Sequence, residues 1–156
     1  MSASGQRPRA ATRAEYPYHQ AITTRWMDND AYGHVNNVHF LSYFDTVVNT
    51  YLIGRGALDI QKSPVIGLVV ETTCQYLAPL TYPETVTAGL RVSHVGRSSV
   101  RYEIALFAGN AEAAAAQGHF VHVYVDRESR RPVELPPTLR AALDPLRTAA
   151  LSQEAP

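Results

Sequence analysis

Residues 24–44, TRWMDNDAYGHVNNVHFLSYF, decide the fold because a polar loop runs directly into a long helical pattern. After Asn37, apolar residues recur every three to four positions, which is the spacing of one face of an α-helix. These residues are Phe40, Phe44, Val47 and Tyr51. Asn36 is suited to cap the start of this helix, and Gly54 is suited to end it. The loop therefore delivers its side chains to a helix N-terminus, where free backbone N–H groups and the positive end of the helix dipole gather.

After the helix, the apolar residues alternate with a period of two, which predicts β-strands. Four segments show this pattern, and each has at least one face suited to burial: residues 67–77, 85–92, 100–106 and 120–125. In the first segment the alternation predicts one shared face for Leu68, Val70, Thr72, Cys74 and Tyr76. This alternation indicates an antiparallel sheet with one face that needs an apolar cover.

Two shorter segments complete the predicted order. Residues 18–25, YHQAITTR, are moderately β-prone and predict a strand ahead of the loop. Residues 137–146, PTLRAALDPL, predict a short C-terminal helix. The order β-α-β-β-β-β predicts an α+β fold in which a roughly five-stranded antiparallel sheet wraps around one long helix.

Composition narrows the class of protein. The chain has 156 residues, 46% of them apolar, and a formal net charge of zero. This predicts one domain with a proper core and argues against a nucleic-acid or membrane-surface role that rests on bulk charge. No apolar stretch approaches the ~18 residues of a membrane span. The single cysteine, Cys74, excludes an internal disulfide framework and fits a reducing cytoplasm, so we expect a cytoplasmic protein.

The ends of the chain look different from its middle. Residues 1–15 are rich in arginine, serine and alanine and lack the apolar segment of a secretory signal. We predict a disordered N-terminal tail over 1–15, with an organellar transit peptide as the alternative. The folded domain is predicted over 16–147, and 148–156 as a loose C-terminal tail.

The polar loop offers several chemistries, of which carboxylate chemistry fits best. A calcium loop would need an oxygen ligand where Tyr32 stands and a glutamate where His39 stands, so calcium is rejected. No histidine or cysteine cluster has the spacing of a transition-metal site, so no metal is expected. No G-x-S-x-G elbow occurs, and Cys74 fits a small core residue. Asp30 remains, either as a turn-capping residue or as a carboxylate that attacks a polarised carbonyl.

A family resemblance favours the second role. The run Asp28-Asn29-Asp30-Ala31-Tyr32-Gly33-His34-Val35-Asn36-Asn37, followed by Phe40, Tyr43 and Phe44, resembles the signature of hotdog-fold acyl-CoA thioesterases of the 4-hydroxybenzoyl-CoA thioesterase type. A looser likeness covers residues 18–137 and includes Tyr76-Leu77-Ala78-Pro79-Leu80 and Gly96-Arg97-Ser98-Ser99. The resemblance implies a hotdog fold, thioester hydrolysis, and a homodimer or homotetramer that binds substrate at the subunit interface.

The resemblance also assigns site residues. It implies that Asp30 attacks the thioester or activates water, and that a backbone N–H at Asn37 or its neighbour binds the thioester oxygen. His34 and Asn36 would hold the loop and the substrate, and Asp28 would brace the loop. Apart from the resemblance, five aromatic residues suggest an apolar or aromatic-tolerant substrate pocket and fit the core equally well: Tyr32, Phe40, Tyr43, Phe44 and Tyr76. The coenzyme A part is expected to contact Arg97, Ser98 and Ser99, with further cationic candidates at Arg127, Arg130 and Arg131. Glu71 is a candidate for a second site residue or a dimer-seam residue.

The chemistry needs no metal or organic cofactor. A thiol ionises near pKa ~8.5, so it leaves without much help from a general acid. The substrate would be a fatty or aromatic acyl-CoA. The alternatives are an acyl-ACP thioesterase, a hotdog dehydratase or hydratase, and a non-catalytic acyl-CoA-binding protein.

Overall fold

The computed structural model describes residues 7–147 and confirms the predicted α+β fold. The five strands are β1 (Tyr18–Thr23), β2 (Val65–Tyr76), β3 (Thr85–Val95), β4 (Ser99–Ala108) and β5 (Ala116–Asp126). The two helices are α1 (Asn37–Gly54) and α2 (Pro137–Leu143), and short 3-10 turns cover Arg13–Glu15, Trp26–Asp28 and Asp144–Leu146. The long helix and the five strands therefore lie where the sequence pattern predicts them.

The strands form one antiparallel sheet in the order β1-β3-β4-β5-β2. The sheet has two ends, the loop end and the turn end, which carry different residues. At the loop end, β1 leads into the polar loop, and the sheet is bounded by the pairs Thr23–Thr85, Val86–Ala108 and Tyr76–Ala116. At the turn end, β3 turns into β4, and the bounding pairs are Val95–Val100, Ser99–Val123 and Val65–Asp126.

The core lies between α1 and one face of the sheet. The predicted helical stripe of Phe40, Phe44, Val47 and Tyr51 is buried, as are the predicted inward residues of β3, β4 and β5. Burial of each large apolar side chain stabilises the fold by roughly 1.5–3 kcal/mol. Asn36 caps α1 because its side-chain oxygen accepts a hydrogen bond from Val38 N at 3.1 Å. The helix ends at Gly54, as predicted.

The predicted face of β2 is wrong in its first half. A bulge lies between Val69, which is opposite His122, and Glu71, which is opposite Val121. The extra residue, Val70, reverses the alternation, so Val69 shares the core face with His122, whereas Leu68 lies on the outer face. Beyond the bulge the predicted face of Thr72, Cys74 and Tyr76 is the core face. A one-residue insertion in a strand carries no period-two signal, which is why the sequence pattern missed it.

The described part of the N-terminal segment packs on the outer face of the sheet. Ala11 and Tyr16 are buried in a small cluster with Phe107, and Ala11 N donates a hydrogen bond to Gln117 Oε1 at 2.8 Å. Packed chain therefore begins ahead of the predicted boundary at residue 16. The predictions for residues 1–6 and 148–156 lie outside the described residues. No helix within 7–147 is both long enough and apolar enough to span a membrane.

Candidate active site

The polar loop between β1 and α1 is anchored by Asp28. This carboxylate is 1% exposed. It accepts hydrogen bonds from Tyr43 Oη at 2.6 Å, Arg25 Nε at 2.9 Å and Arg25 N at 3.0 Å. Burial raises the pKa of Asp28, but the hydrogen bonds from Tyr43 and Arg25 outweigh it and hold the pKa below its usual value. Both oxygens are thus occupied inside the protein, as expected of a residue that braces the loop.

Backbone hydrogen bonds fix the shape of the loop beyond Asp28. Asp30 N donates to His34 O at 2.9 Å, and Gly33 N donates to Asp30 O at 3.0 Å, which closes a tight turn. Gly33 has a φ of +83°, a left-handed conformation that glycine adopts without steric cost. Val35 N donates to Leu80 O at 2.7 Å and ties the turn to the segment ahead of β3. The loop is therefore held from both sides.

Asp30 differs from Asp28 in its surroundings. Its Oδ1 accepts from Tyr32 N at 2.8 Å, and its Oδ2 accepts from Asn36 Nδ2 at the longer distance of 3.3 Å. The carboxylate is half-buried at the wall of an open cleft of about 430 Å³. The other lining residues are Tyr32, His34, Val35, Asn37, Phe40, Tyr76, Leu77, Ala78 and Pro79. A carboxylate oriented by two donors at the wall of an open cleft can meet a substrate.

The N-terminus of α1 opens into the same cleft. Val38 N is capped by Asn36 Oδ1, and His39 N donates to Asn36 O at 3.0 Å. Among residues 7–147, the N–H of Asn37 has no hydrogen-bond acceptor. The cleft therefore combines an oriented carboxylate with a free backbone donor at the positive end of a helix.

The loop also presents two side chains without fixed partners. Tyr32 is 88% exposed, and His34 is exposed beside it. Neither side chain has a hydrogen-bond partner within the described chain, although both line the cleft. They can therefore reorient toward a ligand. His34 and Asn36 were both predicted to hold the loop, but only Asn36 makes side-chain hydrogen bonds within it. Its Nδ2 donates to Asp30 Oδ2, and its Oδ1 accepts from Val38 N.

The structure does not bring the predicted coenzyme A residues to this cleft within one chain. Arg97, Ser98 and Ser99 form the β3–β4 turn at the turn end, closed by Gly96 N donating to Ser99 O at 2.8 Å. That turn lies at the far end of β3, whose 11 residues span about 36 Å. The Arg97 side chain is exposed. One chain therefore carries the two halves of the predicted site at opposite ends of its sheet.

The remaining predicted candidates have local partners. Arg127 donates to Ser63 O at 2.6 Å and Ile60 O at 2.8 Å, so it holds the segment ahead of β2. Arg130 and Arg131 are exposed at the turn end. Glu71 lies on the outer face of the sheet, hydrogen-bonded to His119, away from the cleft. Within residues 7–147 no cluster of three or more acidic, histidine or cysteine side chains could hold a metal ion.

Sequence reasoning missed one polar residue of the core. The period-two pattern of residues 120–125 places His122 on one face with Phe120 and Tyr124 and assigns it no function. It is 5% exposed, and neither ring nitrogen has a hydrogen-bond partner in the described structure. Burial lowers its pKa to about 4. The sequence signal was a histidine in the middle of an otherwise apolar strand face. Because an unpartnered buried polar group costs stability, such a residue points to a function.

Fold and cleft together define the class of protein as a hotdog-fold thioesterase, and the known proteins agree. The model of the Thioesterase-like superfamily matches residues 24–143, so the chain belongs to that family and is a thioester hydrolase. This confirms the resemblance in the polar loop. None of the curated protein sequences matches the chain.

Solved structures give the same fold. The PA5185 protein of Pseudomonas aeruginosa strain PAO1 is 54% identical with a TM-score of 0.88, and the match covers 91% of this chain and 99% of that one. A thioesterase of Thermus thermophilus, complexed with coenzyme A and Zn, is 31% identical with a TM-score of 0.68, over 88% of this chain and 96% of that one. A thioesterase-superfamily protein of Jannaschia sp. CCS1 is 25% identical with a TM-score of 0.75, over 83% and 82%.

Proposed function

We propose that the protein hydrolyses acyl-CoA thioesters in the cleft beside Asp30, as a homodimer whose two sites each use both chains. The observation that carries the proposal is the pairing of an oriented, half-buried carboxylate with the free Asn37 N–H in one open cleft. The coenzyme A complex of the Thermus thermophilus relative supports the choice of carrier.

Asp30 is the reacting group. Asp28 is sealed in the protein with its oxygens bonded, which leaves Asp30 as the carboxylate of the loop that a substrate can reach. Asp30 either attacks the thioester carbon or removes a proton from the water that attacks it. In both routes the C–S bond breaks, water supplies the oxygen of the acid, and the thiolate takes up a proton.

The Asn37 N–H stabilises the charge that develops on the thioester oxygen. A fixed backbone donor at a helix N-terminus is already oriented before the reaction and is strengthened by the helix dipole. Asn36 contributes two contacts: its Oδ1 caps the helix by accepting from Val38 N, and its Nδ2 orients Asp30 by donating to Oδ2. His34 and Tyr32 close around the thioester from the exposed side of the cleft.

The homodimer forms through β2. This strand is one of the two sheet edges and is 12 residues long, against six in β1 at the other edge. It carries the exposed apolar side chains of Val69 (46%) and Val70 (61%). A long apolar edge strand is a site of pairing unless something covers it. A second copy related by a two-fold axis near Val70 would continue the sheet with antiparallel β2 strands.

Such a dimer would complete the site. Antiparallel pairing about Val70 places Tyr76 of one chain opposite residue 64 of its partner, next to the start of β2, and therefore the loop end of one sheet beside the turn end of the other. Arg97, Ser98 and Ser99 of one chain would then approach the Asp30 cleft of the second chain. There they could bind the phosphates of coenzyme A through a cation and hydroxyls.

Asp30→Asn tests the chemistry. The substitution keeps the size of the side chain but removes its nucleophilicity and basicity, so hydrolysis of acyl-CoA esters should fall by at least ~10²-fold. The matched control is Asp45→Asn on the exposed side of α1, which should stay near the wild-type rate. The assay is thiol release from a panel of acyl-CoA esters, with thermal unfolding to verify the fold. A near wild-type rate in Asp30→Asn would refute the assignment.

A further inference from the structure

A second cavity lies at the turn end, between α1 and the sheet. Its volume is about 340 Å³, which is within the range of small-molecule sites. Most of its wall is apolar, including Leu52, Leu58, Ile66 and Leu139. Such a cavity matches an apolar ligand segment and has no charged side chain in its lining.

His122 is one of the polar residues in this wall, together with Asn49, whose Nδ2 donates to Asp45 O at 2.9 Å. His122 is buried from solvent, lines the cavity, and has no hydrogen-bond partner for Nδ1 or Nε2 within the described residues. Aromatic rings surround it: Tyr102 in an edge contact at 4.9 Å and Phe120 stacked at 5.7 Å. The nearby hydroxyls, Tyr102 Oη and Tyr124 Oη, bond each other at 2.6 Å, and neither is hydrogen-bonded to a ring nitrogen of His122.

An unpartnered buried imidazole costs stability, so its presence needs a compensating use. Because burial lowers the pKa of His122 to about 4, the ring is neutral near pH 7 and offers one N–H donor and one nitrogen acceptor. A neutral imidazole in an apolar wall suits a neutral oxygen, such as a hydroxyl or a ketone. A carboxylate would lose its hydration there without gaining a cationic partner.

Within one chain this cavity is remote from Asp30. Asn37 lines the Asp30 cleft, whereas Asn49 and Leu52 line the cavity, 12 to 15 residues further along α1. That separation is roughly 18–22 Å at the rise of an α-helix. Val65, Ile66 and Gly67 of β2 also line the cavity, so pairing of β2 with a second copy brings the cavity of one chain to the Asp30 cleft of the other.

We propose that this cavity binds the acyl group of the substrate held at the Asp30 cleft of the second chain, and that His122 selects acyl groups with a neutral hydrogen-bonding oxygen near their far end. This inference rests on the proposed function for the thioester chemistry. His122 is a specificity residue, since it touches the acyl group and not the reacting atoms.

The first test compares matched substrates. Straight-chain acyl-CoA esters of six, eight and ten carbons are assayed with and without a terminal hydroxyl, together with phenylacetyl-CoA and its 4-hydroxy analogue. At one or more of these sizes the wild-type protein should favour the hydroxylated ester by about tenfold in kcat/KM, the upper part of the range for one neutral hydrogen bond. His122→Leu should remove that preference, and His122→Gln should retain part of it.

A structural role for His122 gives a different result. If the imidazole is only a core residue, His122→Leu would raise the melting temperature and leave the hydroxyl preference of every pair unchanged, which would overturn the proposal. The matched control is His19→Leu, a histidine on the exposed outer edge of β1, which should not alter the preference.

A mixed dimer tests whether the acyl group crosses between chains. Asp30→Asn and His122→Leu chains carrying different tags are co-expressed, and the heterodimer is isolated. The only intact Asp30 of this heterodimer lies in the His122→Leu chain, and it faces the cavity of the Asp30→Asn chain, where His122 is intact. The heterodimer should therefore keep the wild-type preference for hydroxylated esters. Loss of that preference in the heterodimer would place the acyl group in the same chain as its Asp30 and refute the crossing.

Failure of the proposed thioesterase function can be distinguished from failure of the cavity proposal. If the wild-type protein hydrolyses none of the esters, the thioesterase assignment for acyl-CoA fails, and the cavity is tested by binding of the free acids. The hydroxylated acids should then raise the melting temperature of the wild-type protein more than the plain acids do, and His122→Leu should abolish the difference. Equal shifts for both acids would overturn the cavity proposal independently of any activity.

Discussion

The two ends of the sheet carry opposite kinds of polar chemistry. At the loop end, polar groups are numerous and mostly satisfied: Asp28 is bonded by Tyr43 and Arg25, and Asp30 is bonded by Tyr32 N and Asn36. At the turn end, an apolar cavity contains one buried histidine without a partner among the described residues. In our proposal the first arrangement positions the reacting carboxylate, whereas the second binds the acyl group at the cost of an unpartnered histidine in the core. Neither end alone makes a complete site.

The largest expected difference between the ends concerns stability. The pKa of His122 is about 4 in the folded protein, against about 6.5 for histidine in an unfolded chain. Between these values the unfolded state binds more protons, so the free energy of unfolding should rise with pH from about 4 to about 6.5 and level off above. The His122 contribution is of the order of 3 kcal/mol.

Chemical denaturation across this pH window checks the prediction. His122→Leu should lose that part of the slope, and His19→Leu should retain it. Asp28 acts at lower pH, because its lowered pKa gives stability that is present above about 3.9 and is lost as pH falls further. A wild-type slope that survives in His122→Leu would mean that His122 is not the group titrating at the turn end.

The fold was predictable because its signals are periodic. The spacing of Phe40, Phe44, Val47 and Tyr51 and the alternation in β3 to β5 report burial directly. The bulge at Val70 was not predictable, since an inserted residue reverses a face without changing composition. The loop end could be proposed as a site from the sequence because loop, cap and helix start are contiguous and because they carry the family resemblance.

The turn end could not be recognised in the same way. Its parts come from α1, the start of β2, the end of β5 and α2, which are brought together only by the sheet. His122 looks like one more alternating residue between Phe120 and Tyr124, and its missing partners are a property of three-dimensional packing. The distance between Arg97 and Asp30 likewise follows from strand direction, which a motif does not encode.

A smaller effect is expected at the β3–β4 turn. Arg97→Ala should raise KM for a coenzyme A thioester about three- to tenfold with little change in kcat, because a phosphate contact remote from the chemistry binds ground and transition states alike. The effect should vanish with an N-acetylcysteamine thioester, which lacks the nucleotide. An equal rise in KM for both substrates would show that Arg97 does not contact the nucleotide.

The central claim is that one active site needs the loop end of one chain and the turn end of another. The direct measurement is specific activity against protein concentration, with analytical ultracentrifugation of the same samples. We predict that the protein sediments as a dimer or larger assembly and that activity falls in proportion as dilution produces monomer, although Asp30 is untouched. A monomer that hydrolyses acyl-CoA at the full rate would contradict the shared site.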